Sequence, residues 1–321
     1  MNIQMTGLLY FFILMIQNLV AFSKQSISLH TENDAYFSPT DFDRYYTAGT
    51  NITYTSKAFS DSKLKYIGIF SLLQDSLSSS FSIGISQEIY TPDNKTNIIP
   101  PKGDALYGGY LYGNIGIQHH TNNIFESLSI DIGVVGRHSF AKQTQDMVHN
   151  ILNFRTAGGW DSQIKNEIIV NLYHKLLYRF ALLHNIIELL PYSEIALGNA
   201  YTHLGVGLNL RLGYGLQHDF GITKVRSSNI GSTSLGNGFR FYIVGGINDR
   251  VIGNNIFLQG NTPNGIINPL VLRRFVYEAN MGILIGYAGW SISYLYAYRQ
   301  KEFTTQKAPI SYGSIRLEIG F

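Results

Sequence analysis

Val206-Gly207-Leu208-Asn209-Leu210-Arg211-Leu212-Gly213-Tyr214-Gly215 alternates an apolar side chain with a small, polar or charged one for ten residues. Period-two alternation puts all the apolar groups on one face of a strand and Gly, Asn and Arg on the other. The same pattern recurs at Phe81-Ser82-Ile83-Gly84-Ile85-Ser86, at Ser129-Ile130-Asp131-Ile132-Gly133-Val134 and at Trp290-Ser291-Ile292-Ser293-Tyr294. Ser314-Ile315-Arg316-Leu317-Glu318-Ile319-Gly320-Phe321 closes the chain in the same register, ending on an aromatic residue. A soluble sandwich turns its apolar face inward. Here the apolar faces carry Tyr, Phe and Trp, as the girdles of membrane barrels do, while the opposite faces suit a wet lumen.

Composition points the same way. Of 321 residues only 14% are charged, against about 25% in typical soluble domains. The aromatic share is 13%, which excludes a disordered chain. A net charge of +3 does not suggest nucleic-acid binding, and the absence of Cys excludes disulfides, thiol nucleophiles and thiolate metal sites. Gly7 to Phe22 is apolar except for Gln17 and Asn18 and is short for a membrane helix, with small residues before a cleavage position at Ser23. It reads as a cleaved export signal over 1–23, with an N-terminal anchor helix as the alternative; 24–321 is the mature domain. That domain is expected to be all-β: a twelve-stranded antiparallel transmembrane β-barrel with strands over 26–33, 45–56, 78–90, 107–119, 125–137, 164–180, 186–199, 204–218, 238–249, 271–288, 290–301 and 311–321. The connections at 57–77 and 219–237 are longer than periplasmic turns usually are, and a short helix is expected near Tyr66–Leu77.

One stretch departs from the strand pattern. Ser139, a good N-cap residue, precedes Phe140, Thr144, Met147, Val148 and Ile151 at helical spacing, so a short amphipathic helix is expected in this loop. Gln145 and His149, four apart, share one face, which would have to meet the barrel wall. Histidine is the side chain most readily poised to take a proton near neutral pH, although nine His in the chain make a lone one uninformative. Glu32-Asn33-Asp34, followed by Thr40-Asp41, offers oxygens suited to a hard cation such as Ca²⁺, or is merely a polar hairpin loop. Lys95, after the turn signal Thr91-Pro92-Asp93-Asn94, could bind phosphate or sit solvated. No Gly-x-Ser-x-Gly or His-Glu-x-x-His motif is present.

The ordered series Glu32-Asn33-Asp34, Tyr46-Thr47-Ala48-Gly49, Gln87-Glu88-Ile89-Tyr90-Thr91-Pro92, Tyr107-Gly108-Gly109-Tyr110, Gln143-Thr144-Gln145, His149 and Gly159-Trp160-Asp161-Ser162-Gln163 resembles the outer-membrane lipid A 3′-O-deacylases across 26–321. The resemblance implies a bacterial outer-membrane location, a monomer, and a carboxylic ester hydrolase whose substrate is lipid A of lipopolysaccharide. It implies Ca²⁺ held with Asn33 and Asp34, His149 as base, Gln145 and Thr47 as further catalytic residues, and Lys95 or Lys102 on the substrate. Two departures stand out: the family's acidic residue after the helix meets Asn153-Phe154-Arg155-Thr156, and its Arg-Pro-Tyr-Ala-Gly run meets Asp104-Ala105-Leu106-Tyr107-Gly108-Gly109 without the Arg. The rival readings are an outer-membrane phospholipase, with Ser139 as the nearest nucleophile, and a non-enzymatic porin.

Overall fold

The computed structural model describes residues 25–36, 43–59, 66–69, 77–225, 238–261 and 270–321. The expected signal segment, Thr40-Asp41 and most of the helix expected near 66–77 lie outside these residues. Twelve antiparallel strands form one closed sheet: β1 Ser26–Asn33, β2 Tyr45–Thr55, β3 Ser78–Thr91, β4 Gly108–His120, β5 Ile124–Val135, β6 Glu167–Tyr178, β7 Ile187–Gly198, β8 Tyr201–Tyr214, β9 Arg240–Asn255, β10 Phe275–Tyr287, β11 Trp290–Arg299 and β12 Ile310–Gly320. A short piece, Phe180–Leu183, continues β6 beyond Arg179 and pairs with the start of β7. The barrel closes where β1 meets β12, from Ser26↔Gly320 to Asn33↔Gly313. Closure leaves no unpaired sheet edge, the condition for a β-sheet to sit in hydrocarbon.

The expected orientation of the faces is the observed one. Ile83, Val206, Leu210 and Ile243 point outward and are about half exposed, whereas Ser82, Asn114, Asn171, Arg211 and Asn248 point inward and are buried. The lumen is filled by paired charges: Arg299 Nε donates to Glu278 at 2.8 Å, Arg250 Nε to Glu194 at 2.5 Å, and Arg211 bridges Glu188 and Asp219. Unpaired, each of these would carry a heavy desolvation penalty.

Three expectations need correction. β8 starts at Tyr201 and stops at Tyr214, because Gly215 takes the left-handed conformation (φ +73°) and Leu216–His218 forms a 3₁₀ turn. β9 runs six residues beyond the expected end: Arg250 and Asn255 read as loop residues but are buried on the inner face. The aromatic residues are not all girdle: Tyr46, Tyr90, Tyr110, Tyr201 and Tyr312 pack inside with Phe257, whose ring stacks on Tyr90 at 3.9 Å.

The described parts of the two long connections turn inward. Ile67 and Ile69 meet the inward-facing His119 and Glu126 through main-chain hydrogen bonds of 2.6 and 2.8 Å. Leu216, Asp219, Phe220, Lys224 and Val225 are buried; Lys224 pairs with Glu278, and the Val225 N–H donates to Glu32 at 2.8 Å.

Candidate active site

At the opposite end of the barrel from the chain's last residue, the connections β1–β2, β3–β4 and β5–β6 converge. The expected helix is α1, Ala141–Leu152, in the β5–β6 connection. Ser139 is not its cap. Phe140 holds that position with φ +56°, and the Ser139 hydroxyl donates to the Gly136 carbonyl at 2.6 Å. The buried face of α1 is Ala141, Gln145 and His149; the apolar stripe of Phe140, Met147, Val148 and Ile151 faces outward. The helix docks because the wall is bare at Gly109: a Cβ there would overlap Ser139 and Ala141. Gln87 Nε2 ties the helix start to β3 by donating to the Ser139 carbonyl at 2.6 Å.

Each polar group in the gap between α1 and the wall is oriented by a neighbour. Trp160 Nε1 donates to Gln145 Oε1 at 2.8 Å, which turns the Gln145 amide nitrogen toward Asp43 Oδ1, 3.3 Å away. His149 Nδ1 lies 2.8 Å from the Arg155 carbonyl, and Nε2 lies 3.2 Å from Asp43 Oδ2. A carbonyl only accepts, so Nδ1 carries the hydrogen of the neutral ring. Lys95 pairs with the same Asp43 oxygen. Thr47 is the extra residue of a bulge in the β2–β3 register, between Tyr46↔Tyr90 and Ala48↔Ile89. Such bulges re-aim a side chain. The Thr91 hydroxyl donates to the Asp43 carbonyl at 2.6 Å, so Thr47 donates to Thr91 across 2.9 Å.

At the end of β1, Asn33 Oδ1 accepts the Ala35 N–H at 2.7 Å, and Asp34 Oδ2 accepts the Arg44 N–H at 3.0 Å. Asp34 Oδ1 is buried without a hydrogen-bond partner. Burial, and after it the Asp43 charge, hold the Asp34 carboxyl well above its ordinary pKa. A buried carboxylate oxygen with no donor, beside a second carboxylate, is the electrostatic condition that a divalent cation relieves. Among the described residues no group of three or more His, Asp or Glu encloses a metal position.

Asn33, Asp43, Thr47, Gln87, Gln145 and His149 line one cleft. The structure thus gathers Asn33, Asp34, Thr47, Lys95, Gln145 and His149 around one place. Lys102 is exposed, and none of the contacts above involves it. Sequence reading missed Asp43 and gave Trp160 no role. Asp43 lies in a polar loop with no local signal, and its left-handed backbone (φ +62°) is visible only in the fold.

A closed barrel with an apolar exterior, buried polar side chains inside and a polar cleft between its wall and a loop helix defines an outer-membrane β-barrel protein. A family profile described as "Outer membrane protein LpxR" matches residues 8–321, and the chain belongs to that family. The family reading and the outer-membrane location inferred from sequence are thereby borne out. LpxR from Salmonella typhimurium is 22% identical over 92% of this chain and 100% of that one, with a TM-score of 0.72, which establishes the shared fold. Two further barrels are more distant: the KdgM porin is 6% identical over 92% of this chain and 99% of that one (TM-score 0.38). The translocator domain of NalP from Neisseria meningitidis is 8% identical over 98% and 96% (TM-score 0.40). No curated protein sequence matches the chain.

Proposed function

We propose that this protein is a Ca²⁺-dependent lipid A 3′-O-deacylase that hydrolyses the ester carrying the 3′ acyloxyacyl chain in the outer leaflet. The observation that carries the reading is the inverted helix α1, whose polar residues Gln145 and His149 are buried against the barrel wall while its apolar stripe faces outward. A helix that spends its apolar face on the surroundings is placed to meet lipid, and its hidden polar face opens on a cleft at the barrel rim.

The cleft's residues suit ester hydrolysis. With Nδ1–H held by the Arg155 carbonyl, Nε2 of His149 is the ring's proton acceptor and can take a proton from an attacking water. The same main-chain carbonyl orients the ring although Arg155 stands where the family's acid is expected. Gln145, held by Trp160, can orient the water. Thr47 sets Thr91 and the Asp43 loop rather than the water itself, since its hydroxyl is committed to Thr91. Lys95 supplies a cation for a lipid phosphate. Asn33 and Asp34 would hold Ca²⁺, with the partnerless Asp34 Oδ1 as the natural ligand. The chemistry Ca²⁺ supplies when bound is polarisation of the ester carbonyl and neutralisation of the developing oxyanion.

The phospholipase reading loses support because the Ser139 hydroxyl is buried and donates to Gly136. The filled lumen weighs against the porin. The deciding experiment is mass spectrometry of lipid A incubated with purified protein in detergent. Loss of the 3′ acyloxyacyl group as one piece, stopped by chelation and restored by Ca²⁺ better than by Mg²⁺, is expected. Intact lipid A beside fatty acid released from glycerophospholipid would select the phospholipase instead.

A further inference from the structure

We infer that Asp43 is the positioning residue and counter-charge of His149, an assignment that rests on the hydrolase reading above. Asp43 is buried and sits in the left-handed region, which a short polar side chain tolerates better than most. It is fixed from every side. Its carbonyl accepts the Thr91 hydroxyl, and its carboxylate meets Lys95 from the β3–β4 connection and Gln145 and His149 from the β5–β6 connection. One carboxylate therefore joins three loops that the sheet does not connect.

The orientation of His149 gives this contact its chemical content. In the neutral ring Nδ1 carries the hydrogen, so a bare Nε2 lone pair lies 3.2 Å from a carboxylate oxygen. The contact becomes a hydrogen bond only once Nε2 gains a proton, so Asp43 rewards the step in which the proton arrives. As water attacks, its O–H bond breaks and the electron pair stays on the oxygen that bonds the ester carbon. The proton goes to Nε2, where Asp43 Oδ2 accepts it as a hydrogen bond. The proton then leaves to the departing alkoxide as the C–O bond breaks. Asp43 steadies the imidazolium between the two transfers.

The test compares Asp43→Asn, His149→Gln and the double variant, purified in detergent with Ca²⁺ and assayed on lipid A. Folding is followed by heat-modifiable electrophoretic mobility. An Asn side chain keeps the shape but offers Nε2 a donor instead of an acceptor. The expected result is a folded Asp43→Asn barrel with kcat lowered about 10²-fold. KM should change by less than about threefold, and the double variant should be no slower than His149→Gln, as for residues that act as a unit. Wild-type kcat in folded Asp43→Asn, a raised KM with kcat unchanged, or additive losses would each overturn the assignment. If Asp43→Asn gives no folded barrel, two-bond ¹H–¹⁵N correlation on the wild-type protein decides. A neutral His149 ring protonated at Nδ1 is expected, and one protonated at Nε2 overturns the inference. Wild-type protein that releases nothing from lipid A would instead end the functional reading itself, and this inference with it.

Discussion

His149 lies outside the strands, and among the described residues its ring is held by the Arg155 carbonyl, Asp43 and a T-shaped contact with Phe154. Replacing it by Ala should therefore leave the barrel folded. Removing a general base costs roughly 10²–10⁴-fold in rate. Deacylation by His149→Ala is expected to fall by that factor, and undiminished turnover in a barrel of normal electrophoretic mobility would remove His149 from the mechanism. The two candidate lysines separate at the same scale. Lys95 reaches Asp43 inside the cleft, whereas Lys102 is exposed on the same connection. A hydrogen bond to a charged group contributes about 1.5–3 kcal/mol, equivalent to roughly 10–100-fold in binding. Lys95→Ala should raise KM for phosphorylated lipid A within that range, and Lys102→Ala should leave it within about twofold. Equal effects of the two substitutions in steady-state kinetics would contradict the placement of Lys95.

Helix α1 shows how one element inverts the usual rule. Its apolar residues would form a core stripe in a soluble protein, yet Met147 and Ile151 are 56% and 71% exposed while Gln145 and His149 are buried. Nothing in the helix specifies which face meets the wall; Gly109 on β4 does, by leaving room for Ala141, and Gln87 pins the first turn. Gly109→Val should push the helix off the wall without breaking β4, since valine suits a strand. Misplacing catalytic groups by about 1 Å can cost 10²-fold. Activity of Gly109→Val should drop by about that factor while the unheated protein still migrates as a folded barrel. A variant as active as wild type would mean that this contact does not set the cleft.

Among the described residues the inside of the barrel is packed with side chains. Its outer-loop end is closed by Tyr90, Tyr110, Tyr201 and Phe257, and its other half is filled by Leu216–Val225 and the pairs around Glu278 and Glu188. The inserted connection reaches Glu32, whose carboxylate also accepts the Tyr46 hydroxyl at 2.5 Å, directly beneath the Asn33-Asp34 corner. Purified protein in planar bilayers should give no stable conductance steps. Sustained porin-like steps would show that this packing opens and would restore the channel reading.

The sequence by itself determined the barrel, its strand count and the outward direction of its apolar faces, because period-two alternation is a local property that survives in any twelve-residue window. It also placed Gln145 and His149 on one helix face, since four-residue spacing fixes that without reference to anything else. The end of β9 escaped it, because Arg250 and Asn255 look like loop residues until the lumen supplies Glu194 as a partner. Asp43 escaped it too. Its importance comes from Lys95, Gln145 and His149, which lie 52, 102 and 106 positions away in sequence, and from a left-handed backbone seen only in the fold. Periodicity tells which way a side chain points. Only the closed barrel brings three loops together and decides which buried oxygen a histidine faces.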